Sequence, residues 1–222
     1  MGVLGIDTAG PITGIAYVDK IQRYSWQRRV AKGADAFLLE RLEWILSHYK
    51  PDLVAVSVGP GSFTSLRVGV SIAMGFAESM KLQVVPVSSL EARAKLFPSS
   101  CCLSLLDARK NRVYAQLFDS TTEDPIALTE PQDIALAMVL PRGDFIGVGE
   151  GAMVYQQAIL DAGGFVPCDA TRNPALQVAE LGALRREQAI DPLFLAIEYI
   201  REAGVVPPKN LGIPTGTPFS EC

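Results

Sequence analysis

The loop Gly59-Pro60-Gly61-Ser62-Phe63-Thr64 has the composition of a phosphate-binding turn. It follows the apolar run 53–58 and precedes an apolar segment of helical spacing, and glycines between a strand and a helix often hold a phosphate. A P-loop would also need a lysine, but the sequence has none between Lys50 and Lys81. A dinucleotide fingerprint would need a minimal side chain where Thr64 stands. Both nucleotide motifs therefore fail at this loop.

A tight, capped turn explains the same loop more simply. Pro60 and Gly61 suit the two central positions of a type II turn. Ser62 or Thr64 could cap the helix that follows.

The helix predicted at 64–79 carries a small residue at every fourth position: Ser65, Gly69, Ala73 and Ala77. These residues form one narrow face that another backbone can approach closely. A mid-helix glycine costs about 1 kcal/mol relative to alanine, a cost tolerated where such an approach is needed. The remaining faces are apolar too, which predicts burial on more than one side. Burial inside its own domain and a helix–helix interface with a partner chain both account for this pattern.

Two aspartates each follow a predicted strand and open a turn. The first is in Asp7-Thr8-Ala9-Gly10, and the second is in Asp107-Ala108-Arg109. Paired units of this kind are similar to the ATP and Mg²⁺ clamp of the actin/sugar-kinase superfamily, in which Gly149 would lie on the adenosine side. Arg109 and Lys110 stand where a glycine would let the backbone approach a phosphate. The predicted nucleotide site therefore looks eroded.

The composition is that of a globular protein with one large or two small domains. The chain has 222 residues, of which 49% are hydrophobic and 20% charged. A net charge of −4 argues against independent nucleic-acid binding. No apolar run is long enough to span a bilayer, and the N-terminus lacks the basic region of a signal peptide. We expect a cytoplasmic protein.

Histidine and cysteine usage excludes several kinds of active site. The single histidine, His48, excludes two-histidine zinc sites and most catalytic triads. The four cysteines form no CxxC pair, which favours free thiols in a reducing compartment. We predict no metal site.

The periodicity of the sequence predicts an α/β protein of short elements. We predict strands at 2–7, 13–18, 22–29, 53–58, 82–87, 101–107, 113–119 and 143–148. We predict helices at 34–49, 64–79, 88–97, near 131–140, at 151–162 and near 175–187. The short helix at 88–97 would be capped by Ser88 or Ser89. Residues 192–203 are ambiguous. We divide the chain into a first lobe at 1–100, a smaller second lobe at 101–203 whose last segment could pack back on the first, and a loosely ordered tail at 204–222.

Four stretches of the sequence together resemble the bacterial TsaB (YeaZ) family over residues 2 to about 203. They are GIDTAG, GPGSFTSLRVGVSIAMGFA, LLDARKNRVYAQLF and GVGEGA. The central motif of that family is close to GPGSFTGLRIG, from which Ser65 and Val68 are mild departures. Tyr199 and Arg201 match a second family motif, P-x-Y-[LI]-R, whose proline is missing here.

The resemblance implies an actin-like (ASKHA) two-lobe fold, each lobe a mixed sheet that opens with an antiparallel hairpin. It implies a non-catalytic subunit in the synthesis of threonylcarbamoyladenosine in tRNA. The catalytic partner would be a TsaD homologue, which moves threonylcarbamoyl from threonylcarbamoyl-AMP to the adenosine beside the anticodon. That enzyme uses a metal held by an H-x-x-x-H pair, which this chain cannot supply.

The resemblance also implies the assembly. The chain would bind TsaD through helices of its first lobe, would form a homodimer through the same surface when alone, and would reach tRNA only within the complex. A TsaE-type ATPase would join. The chain alone would require no cofactor, although ATP or ADP with Mg²⁺ could lie at the assembled interface.

These expectations define two sets of site residues and one competing function. The expected partner interface consists of Gly59, Pro60, Gly61, Phe63, Ser65, Leu66, Gly69, Val70, Ala73, Leu38 and Leu42. The expected vestigial nucleotide site consists of Asp7, Thr8, Gly10, Asp107, Arg109 and Gly149. The alternative function is a stand-alone phosphotransferase with Asp7 and Asp107 at the metal. Proteolysis has little in its favour beyond scattered serines and His48.

Overall fold

The computed structural model describes residues 1–30 and 34–200, with only the backbone described at 34 and 35. Arg201, the end of the second predicted lobe and the tail 204–222 lie outside the described residues. The first sheet and its helices are β1 (Val3–Asp7), β2 (Ile12–Val18), β3 (Arg23–Arg29), α1 (Ala34–His48), β4 (Leu53–Gly59), α2 (Phe63–Met80), β5 (Val84–Ser88) and α3 (Ser89–Ala94). The second part contains β6 (Cys102–Arg109), β7 (Arg112–Asp119), β8 (Ile126–Ala127), β9 (Gln132–Ile134), β10 (Phe145–Val148), α4 (Glu150–Val154), α5 (Gln156–Asp161), β11 (Gly164–Phe165) and α6 (Ala175–Leu184).

The two sheets share one strand plan. The order in the first is β3-β2-β1-β4-β5, and in the second it is β8-β7-β6-β10-β11, with β9 also paired to β7. In each sheet an antiparallel hairpin opens the lobe and parallel strands extend its other edge. The predicted actin-like two-lobe α/β fold is confirmed.

Alternation along the strands of the first sheet creates two separate apolar faces. Leu4 and Ile6 of β1 face α1 and α2, where they join one buried cluster. Val3 of β1 and Ala55 of β4 point to the opposite face of the sheet, where they join a second buried cluster with residues of α6. Helix α6, which follows the second sheet in the chain, therefore packs on the first sheet.

The lobes meet through a shared apolar core. Leu66 of α2 and Leu90 of α3 pack in one cluster with Leu106, Phe118 and Val148 of the second sheet. Helix α3 lies between the two sheets, and this position brings its side chains into the cleft.

The helix predicted near 131–140 is wrong. This segment forms the short strand β9 and a 3₁₀ turn at Leu136–Met138. Gln132, Asp133 and Ile134 pair with β7 of the second sheet. The side chain of Asp133 also accepts a hydrogen bond of 2.7 Å from Arg112 of β7, so pairing with the sheet outweighs helical spacing.

The predicted type II turn is also wrong. Gly61 does not have the positive φ that such a turn needs; Gly59 has it instead, at 133°, and the Gly59–Pro60 peptide is cis. Ser62 holds the N-cap position of α2 without a side-chain capping bond. Ser88, by contrast, caps α3 as predicted, through Glu91 N–H.

The ambiguous segment after α6 returns along the first sheet. Ile190 bridges Val84 of β5, and Glu198 N–H donates to the carbonyl of Val58. In the described part of the chain, no helix has both the length and the apolar character needed to cross a membrane.

Candidate functional site

A buried ion cluster lies where the two lobes meet. Asp7 ends β1 of the first sheet, Arg93 comes from α3, and Glu150 begins α4 beside the second sheet. The side chains of Asp7 and Arg93 are 0% and 1% exposed, and Glu150 is 8% exposed. The Arg93–Glu150 pair therefore joins one lobe to the other in the protein interior.

The Arg93 guanidinium uses all five of its N–H donors. Nε and Nη2 donate to the two carboxylate oxygens of Glu150, at 3.1 and 3.2 Å. Nη1 and Nη2 reach the two oxygens of Asp7, each at 3.4 Å, and Nη1 also donates to the carbonyl of Ser89 at 2.9 Å. A guanidinium offers five donors in a fixed plane, so this one is fully satisfied.

Charge at the cluster holds Arg93 in its protonated form. Burial alone lowers the pKa of Arg93, but the charges of Asp7 and Glu150 and the hydrogen bonds to them outweigh burial and raise it above its ordinary value. Asn173 adds a neutral donor, Nδ2, at 2.9 Å from Asp7 Oδ2 and 2.6 Å from the carbonyl of Ile12. The cluster thus also fixes the turn between β1 and β2.

Three other predicted cleft residues lie around this cluster. A Cβ on Gly10 would come within 2.2 Å of Glu150 Oε1, and a Cβ on Gly149 within 2.2 Å of the Leu105 carbonyl. Gly149 also has a φ of 90°. Thr8 Oγ1 donates to the carbonyl of Ser65, which ties the turn to α2. Gly10 therefore packs against Glu150 across the lobe boundary, whereas Gly149 packs against β6 of its own lobe, and neither position has space for a larger side chain without a shift.

The other two predicted cleft residues, Asp107 and Arg109, lie at the end of the exposed β6–β7 hairpin. Asp107 is exposed, and its carboxylate accepts a hydrogen bond from the Arg109 N–H. Arg109, Lys110 and Asn111 all have positive φ, from 52° to 61°. The backbone thus adopts the left-handed form that glycine favours although no glycine is present.

Sequence reasoning missed three members of the cluster: Arg93, Glu150 and Asn173. The available signals were an arginine among the small and apolar residues that follow Ser88, and a glutamate between Gly149 and Gly151. Neither signal identifies its partner, because the contacts span separations of 57 residues or more along the chain.

The small face of α2 packs inside the chain itself. A Cβ on Gly69 would lie 2.3 Å from Thr8 Oγ1, and Ala73 and Ala77 are fully buried. Close approach of β1 and its turn therefore accounts for the small residues. Packing within the isolated chain is thus sufficient to explain this face, and its contact with another chain stays a prediction.

Most of the expected interface residues are covered in the isolated chain. The buried ones are Gly59, Pro60, Leu66, Gly69, Val70, Ala73, Leu38 and Leu42. Gly61 and Ser65 are half-buried, and Phe63 is exposed. The buried set supports α1 and α2 from the side of the sheet, so a partner could touch only the opposite side of these helices.

That opposite side carries a second row with a four-residue spacing. Phe63, Arg67, Ser71 and Gly75 are all exposed along α2. A Cβ on Gly75 would have no heavy atom within 4 Å among the described residues. Internal packing therefore gives no reason for a glycine at this position, although it costs about 1 kcal/mol of helix propensity.

An aromatic and cationic cluster begins the row. The guanidinium of Arg67 lies 3.9 Å from the ring centre of Phe63, and its Nε is 3.4 Å from the hydroxyl of Tyr199. The rings of Phe63 and Tyr199 are 5.2 Å apart. Phe63 stays 40% exposed. Aromatic and arginine side chains of this kind are enriched at protein interfaces.

Helix α1, which packs beside α2, extends the exposed apolar surface. Leu39 and Leu46 are 53% and 38% exposed, whereas Leu38, Leu42 and Ile45 face the sheet. We use "α1–α2 surface" for the exposed residues Leu39, Leu46, Phe63, Arg67, Ser71 and Gly75.

Comparison with known sequences gives consistent relatives. Residues 38–144 match the family model "TsaD: tRNA N6-adenosine threonylcarbamoyltransferase". The "tRNA threonylcarbamoyladenosine biosynthesis protein TsaB" of Bacillus subtilis is 30% identical over 68% of this chain and 69% of its own length. The proteins of the same name from Haemophilus influenzae and Escherichia coli are 43% and 30% identical over 28% and 47% of their lengths, and over 28% and 44% of this chain.

Solved structures show the same fold. The structure titled "YeaZ from Pseudomonas aeruginosa" matches with a TM-score of 0.76 and 18% identity, over 89% of this chain and 99% of that one. A crystal structure of an uncharacterized protein with similarity to peptidase YeaZ from Pseudomonas aeruginosa has a TM-score of 0.79 and 20% identity, over 90% and 99%. The shared fold and the extent of the Bacillus subtilis match lead to one conclusion: this chain belongs to the TsaB family.

Proposed function

We propose that this chain is a non-catalytic subunit of the machinery that makes threonylcarbamoyladenosine in tRNA, and that it binds a TsaD-type catalytic subunit. Its relatives in Bacillus subtilis and Escherichia coli are named tRNA threonylcarbamoyladenosine biosynthesis proteins. Within the complex, the catalytic subunit would transfer threonylcarbamoyl from threonylcarbamoyl-AMP to the adenosine beside the anticodon.

The α1–α2 surface carries this proposal. It combines a glycine that internal packing does not require with an exposed Phe63–Arg67–Tyr199 cluster. An exposed, partly apolar surface on two helices suits packing against the helices of another protein. We assign the same surface to the homodimer of the isolated chain.

The contacts of the histidine fit an accessory role. The single histidine, His48, lies at the end of α1, where its Nδ1 is 2.8 Å from the Trp44 carbonyl and its ring stacks on Trp44. Its local contacts explain its position. Chemistry at the tRNA would then belong to the partner.

The remaining parts of the assembly follow from the same proposal. A TsaE-type ATPase would join the complex, tRNA would bind only to the assembly, and the complex would work in the cytoplasm. ATP or ADP with Mg²⁺ at the interface between subunits stays a prediction.

Phe63→Asp tests the proposal. Phe63 begins α2, where a negative charge is favourable to the helix, so the variant should fold. We expect it to lose co-elution with a TsaD homologue and stimulation of tRNA modification. Met153→Asp is the matched control, since Met153 is an apolar residue of the other lobe with 41% exposure. Co-elution of Phe63→Asp at wild-type level would overturn the assigned surface. Wild-type chain that neither binds TsaD nor stimulates modification would overturn the function.

The alternative, a stand-alone phosphotransferase, gains no support from the cleft. Both carboxylate oxygens of Asp7 accept hydrogen bonds from Arg93, and one also accepts from Asn173. Asp107, the second predicted metal ligand, is exposed on the hairpin.

A further inference from the structure

The inter-lobe cleft does not fit the Mg²⁺–nucleotide that an actin-like fold implies. The carboxylate that would face the metal, Asp7, is 0% exposed. The turn that would hold phosphates lies directly against Glu150, since a Cβ on Gly10 would come within 2.2 Å of its Oε1. Asp7 and the Gly10 turn therefore already contact Arg93 and Glu150 where a metal and phosphate would lie.

Two cavities among the described residues lie away from this cluster. One, of about 430 Å³, is lined by Arg23, Lys95 and Glu180 among others. Another, of about 310 Å³, is lined by residues around Phe145 and Phe165. Neither cavity is lined by a member of the Asp7–Arg93–Glu150 cluster.

We propose that Arg93 acts as a built-in cation that takes the place of a bound ligand and closes the two lobes on each other. Its guanidinium neutralises the carboxylate at the end of β1, as a metal would. It also forms a bidentate ion pair with the carboxylate of Glu150 in the opposite lobe, and two parallel hydrogen bonds fix the relative orientation of the two side chains. The lobe arrangement of this chain is thus set by its own side chain and does not respond to nucleotide.

This closure goes beyond the proposed role in tRNA modification, because it concerns the isolated chain alone. The hydrogen bonds of Arg93 explain why a charge can be buried here at all: every donor has an acceptor, and Asn173 donates a further hydrogen bond to Asp7 Oδ2. Removing one member of a buried ion pair leaves an uncompensated charge and is strongly destabilising. That asymmetry supplies the test.

Arg93→Ala removes the cation and leaves two buried carboxylates facing a space. We expect its equilibrium constant for folding to fall by about 150- to 5,000-fold. We expect 10 mM methylguanidinium or CaCl₂ to restore part of the lost melting temperature, beyond a NaCl control of equal ionic strength. The same additions should leave wild-type protein unchanged. In Arg93→Ala/Asp7→Asn/Glu150→Gln, which lacks the two carboxylates, the rescue should disappear.

Two results would overturn the proposal. One is an Arg93→Ala variant as stable as wild type, or one whose stability is unaffected by either cation. The other is Mg–ATP binding to wild-type protein, by calorimetry, that is lost in Asp7→Asn. If Arg93→Ala fails to fold, the double variant Arg93→Met/Glu150→Gln replaces it. Its loss in free energy of unfolding should be smaller than the sum of the losses in Arg93→Met and Glu150→Gln. Strictly additive losses would contradict a direct pair.

Discussion

Gly75 provides the sharpest test of the α1–α2 surface, because replacing it should stabilise the isolated chain. A Cβ at this position meets open space among the described residues, and the residue is in the middle of an 18-residue helix. Alanine improves helix propensity over glycine by about 1 kcal/mol. For a chain of this size, that gain corresponds to a rise in melting temperature of about 2–4 °C. Thermal unfolding of Gly75→Ala measures it directly.

At a concentration at which the chain is monomeric, Gly75→Leu should keep most of that gain and yet lose partner binding. Leucine is almost as good a helix former as alanine, but its side chain would stand between α2 and any helix packed closely against it. We expect the Kd for a TsaD homologue to rise at least about 100-fold, which is about 2.7 kcal/mol. Calorimetry on purified proteins measures both partners in their folded forms.

Two variants act as controls for bulk and for folding. Ala158→Leu adds similar bulk to an exposed position of α5 in the other lobe, and it should bind normally. Gly69→Leu, on the inner face of α2, should destabilise the isolated chain because of Thr8. The reasoning is refuted if Gly75→Leu binds with a Kd within threefold of wild type, or if Gly75→Ala lowers the melting temperature.

Three further predictions concern stability and reactivity. Gly149→Ala should lower the free energy of unfolding by about 3 kcal/mol or more, because the φ of Gly149 is 90° and the new Cβ would collide with the Leu105 carbonyl. A denaturation midpoint equal to that of wild type would contradict this. Burial, with the hydrogen bond and charge of Asp19, raises the pKa of Tyr17 to about 12, above the value near 10 of an unfolded tyrosine. Stability that depends on the Tyr17 proton is therefore complete below pH 10 and is lost between pH 10 and 12, so denaturant titrations should show a smaller alkaline loss in Tyr17→Phe. Burial likewise raises the pKa of Cys102 to about 12, whereas Cys168 is exposed. At pH 8 a thiol reagent should therefore label Cys168 in native protein and Cys102 only after unfolding. Rapid labelling of Cys102 in native protein, detected by mass spectrometry, would contradict its burial.

Local pattern was sufficient for most of the fold. The alternation of β1 and β2 and the turn between them predicted the opening hairpin, and helices α1 and α2 begin and end within a residue of their predicted limits. Periodicity failed where a contact distant in sequence was stronger. Residues 132–134 have helical spacing, but an edge of the second sheet pairs with them, and the ion pair of Asp133 with Arg112 adds to that pairing.

The candidate surface was only partly predictable. The sequence identified α2 as a helix with a small face, but spacing alone cannot say which neighbour approaches that face. Gly69 and Gly75 look alike in the sequence; in the structure one meets Thr8 and the other meets open space. Most of the predicted contact residues of α2 therefore lie on its inner side, whereas Phe63 is exposed.

The sequence by itself determined the element order, the two-lobe plan and, through its motifs, the family. It also contained Asp7 and Gly149 as cleft residues. Only the tertiary structure decided what fills the cleft, because Arg93 meets its partners across 86 and 57 positions of the chain. Local propensity depends on neighbouring residues, so it cannot predict a contact between residues this far apart in the sequence. Burial and charge pairing, which select the partner of a guanidinium, exist only once the two lobes have closed.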